Sequence, residues 1–305
     1  MHILNLIRWK NLVLIILAQV LIKYALFESF DVPTTLNTLG FSLLVLTTLC
    51  IAAAGNIIND IYDVETDGIN KPNKVIIGKH ISENLAYNLF FTLNIIGILL
   101  GLYLSHSIGQ SSFFAIFVII SIALYVYASY LKGTVLFGNI LISLLVATSI
   151  IIVGIFDLLP VIVPQNRETQ LTFFDIIFDY AIFAFLINFV RELIKDIQDV
   201  DGDYKAGMNT LPIFIGRERA NKITFIMSMV PVGAVIYFIV TYLYTQPLVI
   251  GYFLLFVIAP LIYATIKIFG AGDNFHYKHI SIVYKFVMLF GILSLLLYPL
   301  LIKTA

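Results

Sequence analysis

Two clusters of acid stand out in a chain that is otherwise mostly Leu, Ile, Val and Phe. In "NDIYDVETD", Asn59 precedes Asp60, Asp63 and Asp67; in "DIQDVDGD", Asp196, Asp199 and Asp203 repeat the same spacing of three and then four, offset by 136 residues at every position. On a helix, residues i, i+3 and i+7 share a face. Three carboxylates on one face repel unless a cation sits among them. Mg²⁺ answers that need, because it takes carboxylate oxygens and completes its octahedron with water and substrate phosphates. Two such faces set against each other would hold about two or three Mg²⁺ ions and, through them, a diphosphate. Asp60, Asp63, Asp67, Asp196, Asp199 and Asp203 are therefore the expected metal and catalytic residues. Asn59 adds an uncharged oxygen or amide donor beside the first set, whereas Glu65 points off its face and reads as solvated. A calcium loop of the D-x-D-x-D-G type is excluded by the spacing.

Cations stand close to both clusters. Lys71 and Lys74 follow the first, Arg191, Lys195 and Lys205 surround the second, and Lys132 lies in a short connection between them. Lysine binds phosphate as a point charge and arginine as a fork. With Asn59, these six are the expected diphosphate-binding residues. Lys79, Arg217, Arg219 and Lys222 are read as ordinary cations of the same membrane side.

The elements that must carry these residues are membrane spans. Of the 305 residues 60% are hydrophobic and 12% charged, where soluble domains carry about a quarter charged residues; mean hydropathy is +1.00. Runs of about 20 apolar residues occur at 9–28, 37–58, 84–104, 112–130, 134–157, 172–192, 220–242, 247–268 and 280–301. None shows the alternation of a β-barrel strand. The expected fold is all-α, polytopic, with nine spans.

The N-terminus has a positive start like a signal peptide, but no cleavage site follows its long apolar part, so it is read as a retained first span. If the N-terminus and the connections after spans 2, 4, 6 and 8 face one side, that side holds 15 of the 18 Lys and Arg. By the positive-inside rule it is cytoplasmic, and the C-terminus is outside. Both acid clusters then leave a span on the cytoplasmic side, after spans 2 and 6. This is the mark of an internal repeat, roughly 1–133 and 134–270, with a ninth span added; the whole is one domain.

Other chemistry is thinly represented. Formal net charge is zero, so bulk charge points to no nucleic-acid partner. The single Cys50 excludes an internal disulfide and reads as a small core residue. His276 and His279 lack the further ligand that zinc would need. There is no Gly-rich phosphate loop, no G-x-S-x-G and no nucleotide fingerprint.

"NDIYDVETD" together with "DIQDVDGDYKAGMNTLP" resembles the UbiA superfamily of intramembrane prenyltransferases. The family pattern N-D-x-x-D-x-x-x-D falls on Asn59, Asp60, Asp63 and Asp67, and D-x-x-D-x-x-x-D on Asp196, Asp199 and Asp203. "INKPNK", "YASYLK" and "GMNTLP" are further family-like elements. Where many members carry an N-R-P element, this chain has Asn73-Lys74-Val75, keeping the cation and losing the proline. The resemblance implies nine helices around a central cavity, in the cell (inner or plasma) membrane. It also implies Mg²⁺-dependent transfer of a prenyl group from its diphosphate to a lipid-soluble or phosphorylated acceptor. The diphosphate leaves, and the allylic cation is stabilised by aromatic faces and by exclusion of water. Tyr62, Tyr125 and Tyr127, near the motifs, are candidates for that stabilisation.

"RELIKDIQDVDGD" with "KAGMNTLP" looks most like the digeranylgeranylglyceryl-phosphate synthase branch, in which a geranylgeranyl group joins the hydroxyl of geranylgeranylglyceryl phosphate. That acceptor's phosphate would also want cations, and the connection after span 6 has them. The alternative is an aromatic acceptor of quinone biosynthesis, such as 4-hydroxybenzoate or dihydroxynaphthoate. A metal-coupled transporter or a non-catalytic prenyl-lipid binder is the reading from another class. A transporter would carry ionisable groups near the bilayer midplane, where this chain has only scattered residues such as Asn94, Asn139 and Asn188.

Overall fold

The protein, seen in a computed structural model describing residues 1–299, forms helices wherever the sequence is continuously apolar. In lipid no water can satisfy a free backbone N–H or C=O, so each run must close its own hydrogen bonds. Among the described residues nine helices are long and apolar enough to cross a membrane. They are α1 (Trp9–Phe30), α2 (Thr38–Tyr62), α3 (Glu83–Ser107), α4 (Ser111–Ser129), α5 (Phe137–Val161), α6 (Arg167–Lys205), α7 (Arg217–Leu243), α8 (Pro247–Phe269) and α9 (Asn274–Leu297). Position 301, the expected end of the last span, and Lys303 lie outside the described residues.

Side-chain caps start three of these helices. Asn37 accepts from Gly40 N–H, Ser82 from Leu85 N–H, and Asp273 from His276 N–H; such caps satisfy donors that the first turn leaves free. Along the bundle α2 packs on α3 and α4, α5 on α6, and α6 on α7 and α9, while α1 touches α2, α5 and α9. The faces of α3 and α4 turned away from these partners carry exposed Ile, Leu and Phe, as a lipid-facing surface should.

Two elements differ from the sequence expectation, and both carry the acid clusters. The sixth span does not stop near 192. Its helix continues to Lys205, giving about 58 Å at 1.5 Å per residue against a hydrocarbon core of about 30 Å. The second cluster therefore rides on a rigid continuation of the span rather than on a loop. The first cluster is not on one uninterrupted helix: α2 ends at Tyr62, Asp63 forms the junction, and a short helix, Val64–Asn70, carries Asp67.

At the end of the bundle opposite the clusters, a buried ion pair ties α1 to α5. Lys23 Nζ lies 3.0 Å from Asp157 Oδ1, 2.9 Å from Thr34 Oγ1 and 2.7 Å from the Leu36 carbonyl. Leu36 N–H donates to the same carboxylate and Thr35 N–H to the Asp157 carbonyl. Both charged side chains are sealed from solvent. Removing one partner of such a pair leaves the other charge uncompensated, at about 3–5 kcal/mol. Asp157→Ala should therefore cost most of that in a reversible unfolding assay in detergent, and Lys23→Met in the same chain should recover much of the loss. An Asp157→Ala protein as stable as the parent would show that the pair anchors nothing.

Candidate active site

The two clusters converge. At one end of the bundle a polar cavity of about 620 Å³ is lined by all six aspartates and by Asn59, Lys71, Lys74, Lys132, Arg191, Lys195 and Tyr127. A largely apolar chamber of about 190 Å³ extends from it into the bundle, lined by residues such as Ile51, Phe117, Leu124 and Val146. The two spaces share Arg8, Asn11, Asn59, Tyr127, Arg191, Glu192 and Lys195. A charged head and a hydrocarbon tail would find suitable surroundings on either side of that boundary.

The local structure explains how the clusters are held. Asn70, ending the short helix, clamps α6 with both ends of its amide. It donates to the Asp199 carbonyl at 2.8 Å and accepts from Gly202 N–H at 2.9 Å. Only glycine admits this approach, since a Cβ on residue 202 would stand 2.4 Å from Asn70 Nδ2. Lys71 then reaches over to the Asp199 carboxylate, with Asp67 on its other side at 3.9 Å. Lys132 comes from the turn between α4 and α5 and pairs with Asp63. That turn lies against the start of α5, where a Cβ on Gly138 would meet the Leu131 carbonyl at 2.6 Å. The next residue, Asn139, donates to Asp196 at 2.8 Å.

Arg8 completes the set. Its backbone is left-handed (φ 52°) at the break between a short N-terminal helix and α1, a conformation that costs a non-glycine residue about 1 kcal/mol or more. Its guanidinium donates to Asp60 at 2.6 Å. Burial works against the Arg8 cation, but Asp60 beside it outweighs this and holds it above its usual range. For Lys132, likewise, burial is outweighed by Asp63, and its pKa is raised. Burial lifts the Asp67 carboxyl above the normal carboxylate range, against the pull of Lys71.

Among the described residues no three of these acids meet tightly enough to hold an ion as they stand; lysine, arginine and asparagine fill the gaps between them. The donor set nevertheless fits a divalent cation. Asn59 Oδ1 and Asp63 Oδ1 are buried without a hydrogen-bond partner. Asp203 is buried on the cavity wall without an ion pair among the described residues. Oxygen acceptors left without donors are costly, and a hard cation is the ligand that oxygens satisfy best.

Three of the residues expected from sequence do not line the cavity. Tyr62 and Tyr125 lie on the outer surface, their hydroxyls 3.2 Å apart, because Tyr62 is about 100° around α2 from the motif face. Lys205 is exposed at the end of α6. Conversely, Arg8, Asn70, Asn139, Glu192 and Lys285 belong to the lining or its support and were given no site role from sequence. The one available signal was the glycine of "DVDGD", out of place inside a helix.

Replacing Gly202 with Ala tests the clamp. Helix propensity alone favours Ala by about 1 kcal/mol. The clash with Asn70 should reverse that sign, lowering the melting temperature, and Asn70→Ala in the same chain should restore the gain. A simple rise in melting temperature for Gly202→Ala would remove the clamp from the account.

Known proteins bear on what this cavity is. Curated relatives include the digeranylgeranylglyceryl phosphate synthases of Pyrococcus abyssi, 36% identical over 199 residues (65% of this chain and 64% of that protein), and of Korarchaeum cryptofilum, 33% identical over 182 residues (60% and 58%). The chain thus spans 58–64% of the length of these relatives. A solved structure of digeranylgeranylglyceryl phosphate synthase superposes with a TM-score of 0.61 at 24% identity, covering 97% of this chain and 98% of that one. A UbiA homolog from Archaeoglobus fulgidus bound to GPP and Mg²⁺ superposes at 0.55 and 18% identity, covering 97% and 99%. These likenesses carry the fold. Residues 14–274 match the UbiA prenyltransferase family, and with that match over most of its length the chain belongs to that family.

Proposed function

We propose that this enzyme transfers a geranylgeranyl group from its diphosphate to the hydroxyl of geranylgeranylglyceryl phosphate, a step of ether-lipid synthesis. The observation that carries this reading is the continuity of a carboxylate- and lysine-lined cavity with an apolar chamber, which suits a diphosphate joined to an isoprenoid. The acceptor follows the relatives named digeranylgeranylglyceryl phosphate synthase. They favour it over the aromatic acceptors of quinone biosynthesis.

Mg²⁺ is the proposed metal, by analogy with the A. fulgidus homolog solved with it; when bound it would neutralise the diphosphate and improve it as a leaving group. Asp60, Asp63, Asp67, Asp196, Asp199 and Asp203 would hold the ions, with Asn59 adding an oxygen. Lys71, Lys74 and Lys132 sit where they can place point charges on diphosphate oxygens. Tyr127 lines both the polar cavity and the apolar chamber. Its ring is therefore at the boundary where the allylic C–O bond would break, and an aromatic face there stabilises developing positive charge. The apolar chamber keeps water from that carbon.

The charge bias among connections supports a site on the cytoplasmic side, with the N-terminus inside, and we place the enzyme in the cell (inner or plasma) membrane. We further read α2 and α6 as equivalent members of two four-helix units, roughly 1–133 and 134–270.

Purified protein given Mg²⁺ and labelled geranylgeranyl diphosphate should yield digeranylgeranylglyceryl phosphate with geranylgeranylglyceryl phosphate. It should yield no prenylated ring with 4-hydroxybenzoate or dihydroxynaphthoate. Chelation should stop turnover and Mg²⁺ restore it. Asp60→Ala and Asp196→Ala should each lower turnover by about a hundredfold or more, and near-parental rates in either would sink the site assignment.

A further inference from the structure

The cavity is not evenly charged. Its lining holds seven acids and seven cations, but they are sorted. The six aspartates lie with Arg8, Lys71, Lys74 and Lys132, an excess of negative charge that a divalent metal would correct. The remaining three cations, Arg191, Lys195 and Lys285, share a single acid, Glu192. Glu192 is already divided between Lys195 Nζ at 2.6 Å and Arg191 Nη1 at 3.5 Å. The Arg191 side chain is only 11% exposed, and its Nε is buried with no partner. Lys285, on α9, makes no ion pair among the described residues. This end of the cavity therefore has an excess of positive charge, which suits an anion that arrives without a metal.

The same end opens toward hydrocarbon. A second apolar chamber, of about 130 Å³, lies between α1, α5, α6 and α9 and is walled by Leu14, Ile150, Phe183 and Met288 among others. Arg191 and Lys285 are the charged side chains on its wall, and both also line the polar cavity. A phosphate monoester carries about −1.5 to −2 charge at pH 7, close to the local surplus. An arginine fork and a lysine point charge are the groups that recognise one.

We propose that Arg191 and Lys285, supported by Lys195, form a subsite for the phosphate monoester of the acceptor, distinct from the aspartate-lined diphosphate site. This deepens the function proposed above and rests on it. It also moves Arg191 and Lys195 from donor to acceptor recognition, and it places the phosphate on the body of α6 and on α9 rather than on the connection after α6. An acceptor without a phosphate leaves these half-buried cations unanswered, so the subsite selects against it.

Steady-state kinetics on the full chain with Mg²⁺ and geranylgeranyl diphosphate test this, using geranylgeranylglyceryl phosphate and, separately, geranylgeranylglycerol. Lys285→Gln should raise KM for the phosphorylated acceptor by about tenfold or more, without moving KM for the donor. Lys285→Arg should recover most of the loss. The preference for the phosphorylated acceptor should shrink in Lys285→Gln. Glycerol 1-phosphate should inhibit the parent enzyme in competition with the acceptor and not with the donor, a readout that needs no variant. If the parent uses the phosphorylated acceptor but Lys285→Gln keeps its KM, or glycerol 1-phosphate competes with the donor, the subsite is overturned and the activity stands. If the parent prenylates only phosphate-free acceptors, the activity and the subsite fall together.

Discussion

Like charge gathered at the edge of a low-dielectric bundle is the constraint that shapes this molecule. Two carboxylates 4 Å apart repel by about 4 kcal/mol at an effective dielectric constant of 20, and six aspartates line one cavity here. The fold holds them in place by meeting each set with cations from elsewhere in the chain. Arg8 comes from before α1, Lys71 from after α2, and Lys132 from the α4–α5 turn. Asn139 adds a neutral donor from α5. Four separate stretches of the chain thus contribute to restraining the acids.

Rigidity follows from the same arrangement. The second set stands on the extension of a 39-residue helix, so it cannot swing as a loop would. The first set is jointed at Asp63 and would be free to move, but the Asn70 clamp and the Lys71–Asp199 pair fasten it to that extension. At the far end of the bundle, the Lys23–Asp157 pair closes α1 onto α5. Arg8 directly precedes the other end of α1, so the two ends of one helix meet the acids of the cavity and the buried Asp157.

Division of charge also separates tasks within a single cavity. The acidic end has more carboxylates than cations and has unpartnered oxygens, which suits a divalent metal. The basic end, built on α6 and α9, has cations to spare and fronts its own apolar chamber. Two lipid substrates with different head groups could be told apart by these two fields without any difference in their hydrocarbon tails.

Much of this was legible in the amino-acid order. Apolar runs of span length require helices in lipid, so the nine spans were countable, and the paired i, i+3, i+7 aspartates drew attention by their repeated spacing, although the first set is jointed at Asp63 rather than on one helix face. Those features are local, and local periodicity is what a sequence displays. Which cation meets which acid is not local: Arg8 and Asp60 are 52 residues apart, and Asn139 and Asp196 are 57. Nothing in the neighbourhood of Arg8 or Lys285 distinguishes either from the general excess of cations on that membrane side. The same limit explains Tyr62, which adjoins Asp63 along the chain but is turned about 100° from it on a helix, and Tyr125, which meets Tyr62 from α4. The sequence by itself determined the spans, the paired carboxylate clusters and the family. Tertiary packing alone decided the counter-charges, the clamp between the faces and the sorting of positive charge to one end, because each depends on helices that meet only when the bundle closes.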